Sequence, residues 1–173
     1  DNDGAPAFSI SDDSVNAGAG TITFTVTRSG SSGSAVSVDY AVAPNTATTD
    51  DYSASVLSGL TGRLSFAAGE TTKTIVLNVT NDGVYEGSES FYVNLSNASG
   101  ATISDAQGVG TITDDGTGNG GNNDDRPVLT VTGVDNVSEG SYAVFTVNLD
   151  KPLAANTTIK LQLIDGTAVL ADD

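Results

Sequence analysis

The strongest constraint on this chain is a period of two. Between residues 21 and 28, Ile22, Phe24 and Val26 alternate with threonines, the pattern of a strand with one face buried and the other wet. Similar runs occur at 7–11, 35–42, 63–66, 73–79, 91–95 and 108–113. Residues 29–33 (Ser-Gly-Ser-Ser-Gly) form a turn by composition, residues 68–70 read as a short hairpin connection, and residues 44–62 as a longer irregular stretch. No stretch spaces its apolar residues at the helical period. About seven short strands of this kind predict an all-β chain folded as an antiparallel β-sandwich.

One segment interrupts the pattern. Residues 116–125 contain no apolar side chain and read as a Gly/Asn/Asp linker, placed at 116–126. Beyond it the chain repeats itself: Pro127-Val128-Leu129-Thr130-Val131 matches Pro6-Ala7-Phe8-Ser9-Ile10, and Val144-Phe145-Thr146-Val147 matches Thr23-Phe24-Thr25-Val26. The expected organisation is therefore a sandwich over residues 1–115, the linker, and the first strands of a second similar module over 127–173, including a third strand at 158–164. Three strands of a sandwich leave a core uncovered. Either the module continues beyond the sequence, or residues 127–173 complete a sandwich with another copy by homopolymeric strand exchange.

Charge excludes some partners and selects others. Asp+Glu number 22 against Lys+Arg 6, a formal net charge of -16, which argues against nucleic acid and anionic membrane. No run of residues is long and apolar enough to predict membrane insertion in this sequence. With no His and no Cys, the usual zinc and copper ligands are missing, and the cation left is a hard, oxygen-bound one, calcium before magnesium. In a sandwich, alternate connections share a pole. The connections after the first, third and fifth strands and the end of the seventh would bring Asp51, Asp82, Glu86, Glu89, Asp114 and Asp115 together. Such a cluster repels itself unless a cation sits in it. Asp12, Asp13, Asp39, Asp50, Glu70 and Asp105 are read as solvated surface. Asp124 and Asp125 fit either a joint site with Asp114 and Asp115 or plain linker solvation.

Several spaced motifs, taken in order, resemble one known family. Thr46-Ala47, Asp51-Tyr52, residues 62–66 followed by Gly69-Glu70, Asn81-Asp82 with Glu86 and Glu89-Ser90-Phe91, and Gly110-Thr111-Ile112-Thr113-Asp114-Asp115 look like the Calx-beta motif. The family takes its name from the sodium/calcium exchanger and is abundant in bacterial repetitive surface proteins. The resemblance implies an immunoglobulin-like sandwich binding Ca2+ through Asp51, Asp82, Glu86, Asp114 and Asp115, with Glu89. In the second module it points to Glu139, Asp172 and Asp173. Two positions depart from the family pattern: Ala17 stands where an acid is usual and is kept in the second copy as Glu139, and Asn81 replaces one member of an acidic pair. Fewer or weaker ions than in exchanger-type sites are expected.

The functional expectation is a non-catalytic, calcium-stiffened repeat of a secreted or cell-surface bacterial protein, an adhesin, matrix or filament component, whose partners are calcium and neighbouring repeats. The alternatives are a calcium-dependent carbohydrate-binding module, disfavoured by the lack of Trp, and a regulatory calcium sensor. An enzyme is not expected, because the acids have no His, Cys or basic partner and no evident cleft.

Overall fold

The computed structural model describes residues 4–114, 125–133 and 136–164. The seven expected strands are β1 (Ala7–Ile10), β3 (Thr21–Ser29), β4 (Val36–Pro44), β6 (Thr61–Phe66), β7 (Thr72–Val79), β8 (Gly87–Ser99) and β10 (Gln107–Asp114). Three short ones join them at the edges: β2 (Asp13–Asn16), β5 (Tyr52–Ala54) and β9 (Thr102–Ile103). They form two five-stranded sheets, ordered β5-β7-β3-β1-β9 and β2-β10-β8-β4-β6. Pairing is antiparallel except where β9 joins β1 and β2 joins β10.

Alternation does what it predicted. Ile22, Phe24 and Val26 of β3 are buried, as are Ile75, Leu77 and Val79 of β7 and Phe91, Val93 and Leu95 of β8. These inward faces meet in one core with Phe8, Val38, Tyr52 and Phe66. Phe8 packs on Phe66 at 5.1 Å between centroids, Phe24 meets Phe91 edge-on at 5.8 Å, and Tyr52 stacks on Phe91 at 4.2 Å. Offset and edge geometries of this kind add to the area term of burial. Gly110 makes room for the rings, because a Cβ there would stand 2.6 Å from Phe91 and 2.8 Å from Phe24.

The connection at residues 67–71 is not a hairpin. β6 pairs with β4 in one sheet and β7 with β3 in the other, so this segment crosses between sheets. The crossing is tight: the Glu70 carboxylate accepts from the Ala67 N–H at 2.7 Å, Gly69 takes φ +86°, and buried Arg28 donates its Nε–H to the Glu70 carbonyl at 2.7 Å.

Beyond residue 125, β11 (Leu129–Thr132) pairs antiparallel with β12 (Thr146–Leu149). Leu129 faces Leu149 as Phe8 faces Arg28, and Val131 faces Val147 as Ile10 faces Val26, the register that the internal repeat requires. The expected third strand over residues 158–164 does not form. In the first sandwich the corresponding strand, β4, is held by β6 and β8, and no such neighbours pair with it among the described residues. Val131, Phe145, Leu161, Leu163 and Ile164 are consequently exposed. No helix among the described residues is long and apolar enough to cross a membrane.

Candidate metal centre

The acids gather at the pole where β4, β7 and β10 end and β8 begins. Strand alternation places two of them. Glu89 shares the inward parity of Phe91 and Val93 on β8, and Asp114 that of Gly110 and Ile112 on β10, so each strand carries a carboxylate into the mouth of the core. Asp51 precedes buried Tyr52. A braced turn fixes it: its Oδ2 accepts from the Thr48 N–H at 2.6 Å and from Thr48 Oγ1 at 3.1 Å, while its carbonyl accepts from the Thr80 N–H at 2.8 Å. The same loop is sewn to β8, where Ala47 N–H donates to the Ser90 carbonyl and Ser90 N–H to Thr46 Oγ1.

Asp82 and Glu86 come from the connection between β7 and β8. Asp82 Oδ1 accepts from the Val84 N–H at 2.9 Å, an Asx-type turn completed by Gly83 at φ +80°. Gly87, at φ +83°, opens β8, and the Glu86 N–H donates to Asp114 Oδ2 at 3.1 Å. The result is one small cavity of about 20 Å³ whose walls include Ala17, Asp51, Asn81, Asp82, Glu86, Glu89, Ile112 and Asp114. Asp51, Glu86 and Glu89 each offer an oxygen, all within 4.8 Å of one another.

These three carboxylates are in electrostatic conflict. Glu86 keeps solvent contact along its side chain, yet partial burial, then the charges of Asp51 and Glu89, a hydrogen bond to Asp51 and the charge of Asp82 push its pKa up to about 7. Glu89 is raised by burial first and Asp51 second, and Tyr52 by burial and then Asp51. Among the described residues, no Lys or Arg lines the cavity. A site built only of oxygen donors, anionic and unneutralised by side chains, fits a hard divalent cation and offers nothing to a soft one.

Five of the six residues expected in the first module therefore line one cavity, with Asp51, Glu86 and Glu89 in closest approach. Asp115, Asp124, Asp172 and Asp173 lie outside the described residues. Glu139 is exposed on a turn closed by Ser141 N–H donating to the Ser138 carbonyl, and Asp125 is buried beside Lys151 at 3.5 Å. Sequence reasoning missed Thr48. Its spacing three residues before Asp51 is the signal that could have identified it as that acid's brace.

Most of the acids read as solvated surface turn out to hold structure. Asp39 pairs with Arg63 at 2.6 Å, and Asp12 Oδ1 accepts from the Val109 N–H at 2.7 Å. Asp13 accepts from the Thr23 N–H, and Asp105 from the Gln107 N–H. Glu70 caps the crossing described above. Each sits where an edge or turn leaves an N–H or a cation to be met.

Fold and site together define an antiparallel sandwich with an acidic, cation-accepting pole. Comparison with known proteins makes the class specific: the model of the Calx-beta domain matches residues 1–116, and the chain belongs to the Calx-beta domain family. Among solved structures it is similar to the apo form of the Calx CBD1 domain, with 25% identity and a TM-score of 0.57 over 64% of this chain and 97% of that one. It is similar to CBD12 from CALX1.2 at 27% identity and a TM-score of 0.57, over 63% of this chain and 45% of that one. The calcium binding domain CBD12 of CALX1.1 gives 26% identity and a TM-score of 0.55 over 61% of this chain. The chain spans less than half the length of the two CBD12 structures, 45% and 43%.

Proposed function

We propose that this chain is a calcium-binding, non-catalytic structural module of a secreted or cell-surface protein, one of a series of repeats serving adhesion, a matrix or a filament. The observation that carries the reading is the convergence of Asp51, Glu86 and Glu89, with oxygens within 4.8 Å, at the end of a Calx-beta sandwich. The similar CBD12 structure of CALX1.1 is described as a calcium binding domain. Bound calcium supplies the positive charge that the cavity walls lack.

The rest is done by the chain itself. Asp51 presents the loop between β4 and β5, and Asp82 and Glu86 present the loop between β7 and β8. Asp114 Oδ2 holds the Glu86 N–H at the end of β10, the strand that leads toward the linker at residues 116–126. Neutralising the pole stiffens three connections together, and stiffness at the end of β10 sets how the next repeat is carried. Residues 127–164, paired as β1 and β3 are, make the beginning of that repeat, and its apolar face is covered by further strands of the same type, from a neighbouring repeat or a second copy. Absence of Cys and Met suits export in an unfolded form followed by folding in external calcium.

Thermal melting in excess calcium and in excess chelator tests the reading. The midpoint rises with calcium in the manner of any ligand that binds only the native state. Equal midpoints in the two conditions would remove it.

A further inference from the structure

We propose that the apolar groove of the second segment in one copy of this chain receives the turn at residues 55–58 of a second copy, joining copies head to tail. The proposal goes beyond the calcium reading and does not depend on it.

The turn is a preformed apolar knob. Among the described residues of the first sandwich, Val56 and Leu57 are the only large apolar side chains left open to solvent, Val56 fully and Leu57 at 75%. Scattered exposed aliphatics are ordinary; these two are adjacent and stand on a turn that is fixed. Ser55 Oγ accepts from the Leu57 N–H and the Ser58 N–H, both at 3.1 Å, and donates to the Val76 carbonyl at 2.6 Å. Ser58 Oγ accepts from the Val76 N–H at 3.2 Å, and the Ser58 carbonyl from the Ser55 N–H at 2.9 Å. The turn joins β5 to β6, the edge strands of the two sheets, so it stands at the side of the sandwich. A knob held in this way has little freedom left to lose on binding.

The receiving surface lies on the second segment. Val131, Phe145, Val147, Leu161 and Leu163 line one groove, with Gln162 the only polar residue on its described wall. Val131, Phe145, Leu161 and Leu163 are each more than half exposed. Val56 is fully exposed, so the turn does not fill the groove of its own chain. The strands proposed above to cover this face and the turn of a second copy compete for the same groove.

Charge sets the direction of the contact. The first sandwich carries most of the 22 acids against Arg28, Arg63 and Lys73, so two sandwiches repel each other. Residues 151–164 contain Lys151 and Lys160 and no acid. Bringing the turn of one copy to the second segment of another therefore sets an acid-rich surface against an acid-free one. Knob and groove are different surfaces, which makes the contact heterologous. Copies add until a ring closes or a filament grows.

Sedimentation velocity of the full chain at rising concentration, in calcium and again in chelator, tests the contact. The wild type associates in both conditions. Val56→Ser with Leu57→Ser removes the knob, and Leu161→Ser with Leu163→Ser removes the groove. All four side chains are largely exposed, and cooperative melting confirms that each variant keeps the sandwich. Either double variant alone stays monomeric where the wild type associates, each buried aliphatic being worth roughly tenfold or more in the association constant. An equimolar mixture of the two forms a 1:1 complex and nothing larger, because the one surviving contact joins the turn of one variant to the groove of the other. Undiminished association of the turn variant would mean that grooves pair with grooves, and overturns the proposal. So does a wild type that stays monomeric at every concentration, or a mixture that forms no complex.

Discussion

Glu86 is where the conflict at the pole is greatest, and its protonation makes the conflict measurable. Its ordinary value of 4.5 is that of the unfolded chain, and in the fold it is pushed up to about 7, by burial first and then by the charges of Asp51 and Glu89. Between these values the folded state binds more protons than the unfolded one, so stability falls as pH rises. Glu89 is shifted the same way. Asp39 and Glu70 are shifted down, chiefly by the Arg63 hydrogen bond and the Ala67 N–H respectively. Their contribution is therefore lost only as pH falls below their unfolded values of 3.8 and 4.5. The windows separate, and above pH 4.5 the raised acids govern. In chelator, the melting midpoint falls steadily from pH 4.5 to 7 and then levels. In saturating calcium the trend reverses, because the ion competes with protons for the same oxygens and gains on them as pH rises. Differential scanning calorimetry across this range checks both signs, and a chelator curve that rises from pH 4.5 to 7 contradicts the assignment.

At the scale of elements, β8 links core to pole. Phe91 is fully buried, touches Phe24 and stacks on Tyr52, and two residues earlier the same face carries Glu89. Phe91→Ala is expected to cost about 3–5 kcal/mol of stability by leaving a cavity, and to weaken calcium binding as well, because Tyr52 and hence Asp51 lose their backing. Thr48→Val separates the two effects. It removes the hydroxyl that donates to Asp51 Oδ2 while keeping the backbone N–H bond, so chelator-state stability changes by about 1 kcal/mol or less while calcium affinity drops several-fold by calorimetric titration. How far such relations could be read beforehand follows from their range along the chain. Alternation located all seven principal strands and, through strand parity, put Asp51, Asp82, Glu86, Glu89 and Asp114 at one pole. It could not show that residues 67–71 cross between sheets, because a five-residue connection has the same composition whether it closes a hairpin or turns a corner. Edge strands β2, β5 and β9 are too short to display a period. The capping roles of Asp12, Asp13 and Glu70 depend on which N–H groups the distant strands leave open. The third strand expected at 158–164 has the right alternation but lacks the neighbours on which β4 relies.

For the molecule as a whole, the question is how much of the fold the second segment supports. Among the described residues, every member of the buried core lies between Phe8 and Ile112, and Tyr85, paired with Leu153, makes the one isolated bridge from the first sandwich to residues 127–164. Tyr85 adjoins Glu86, so that contact touches the metal loop without touching the core. The two functions of the fold, burying apolar surface and gathering carboxylates, therefore depend on residues 127–173 to different degrees. A chain ending at residue 116 keeps the whole core and all five described carboxylates of the pole. It is expected to melt cooperatively within a few degrees of the full chain and to retain the calcium-dependent rise in midpoint. The full chain differs in another respect: Phe145, Leu161, Leu163 and Ile164 stand open to solvent, so it binds a hydrophobic dye such as ANS, or self-associates as concentration rises, and the short chain does neither. Limited proteolysis of the dilute, monomeric full chain should cut first beyond residue 126 and leave the sandwich intact, since apolar strands without a covering sheet open locally at little cost. Initial cleavage inside residues 7–114, or loss of cooperative melting in the short chain, would mean that the second segment is part of the first module's stability and not the start of another.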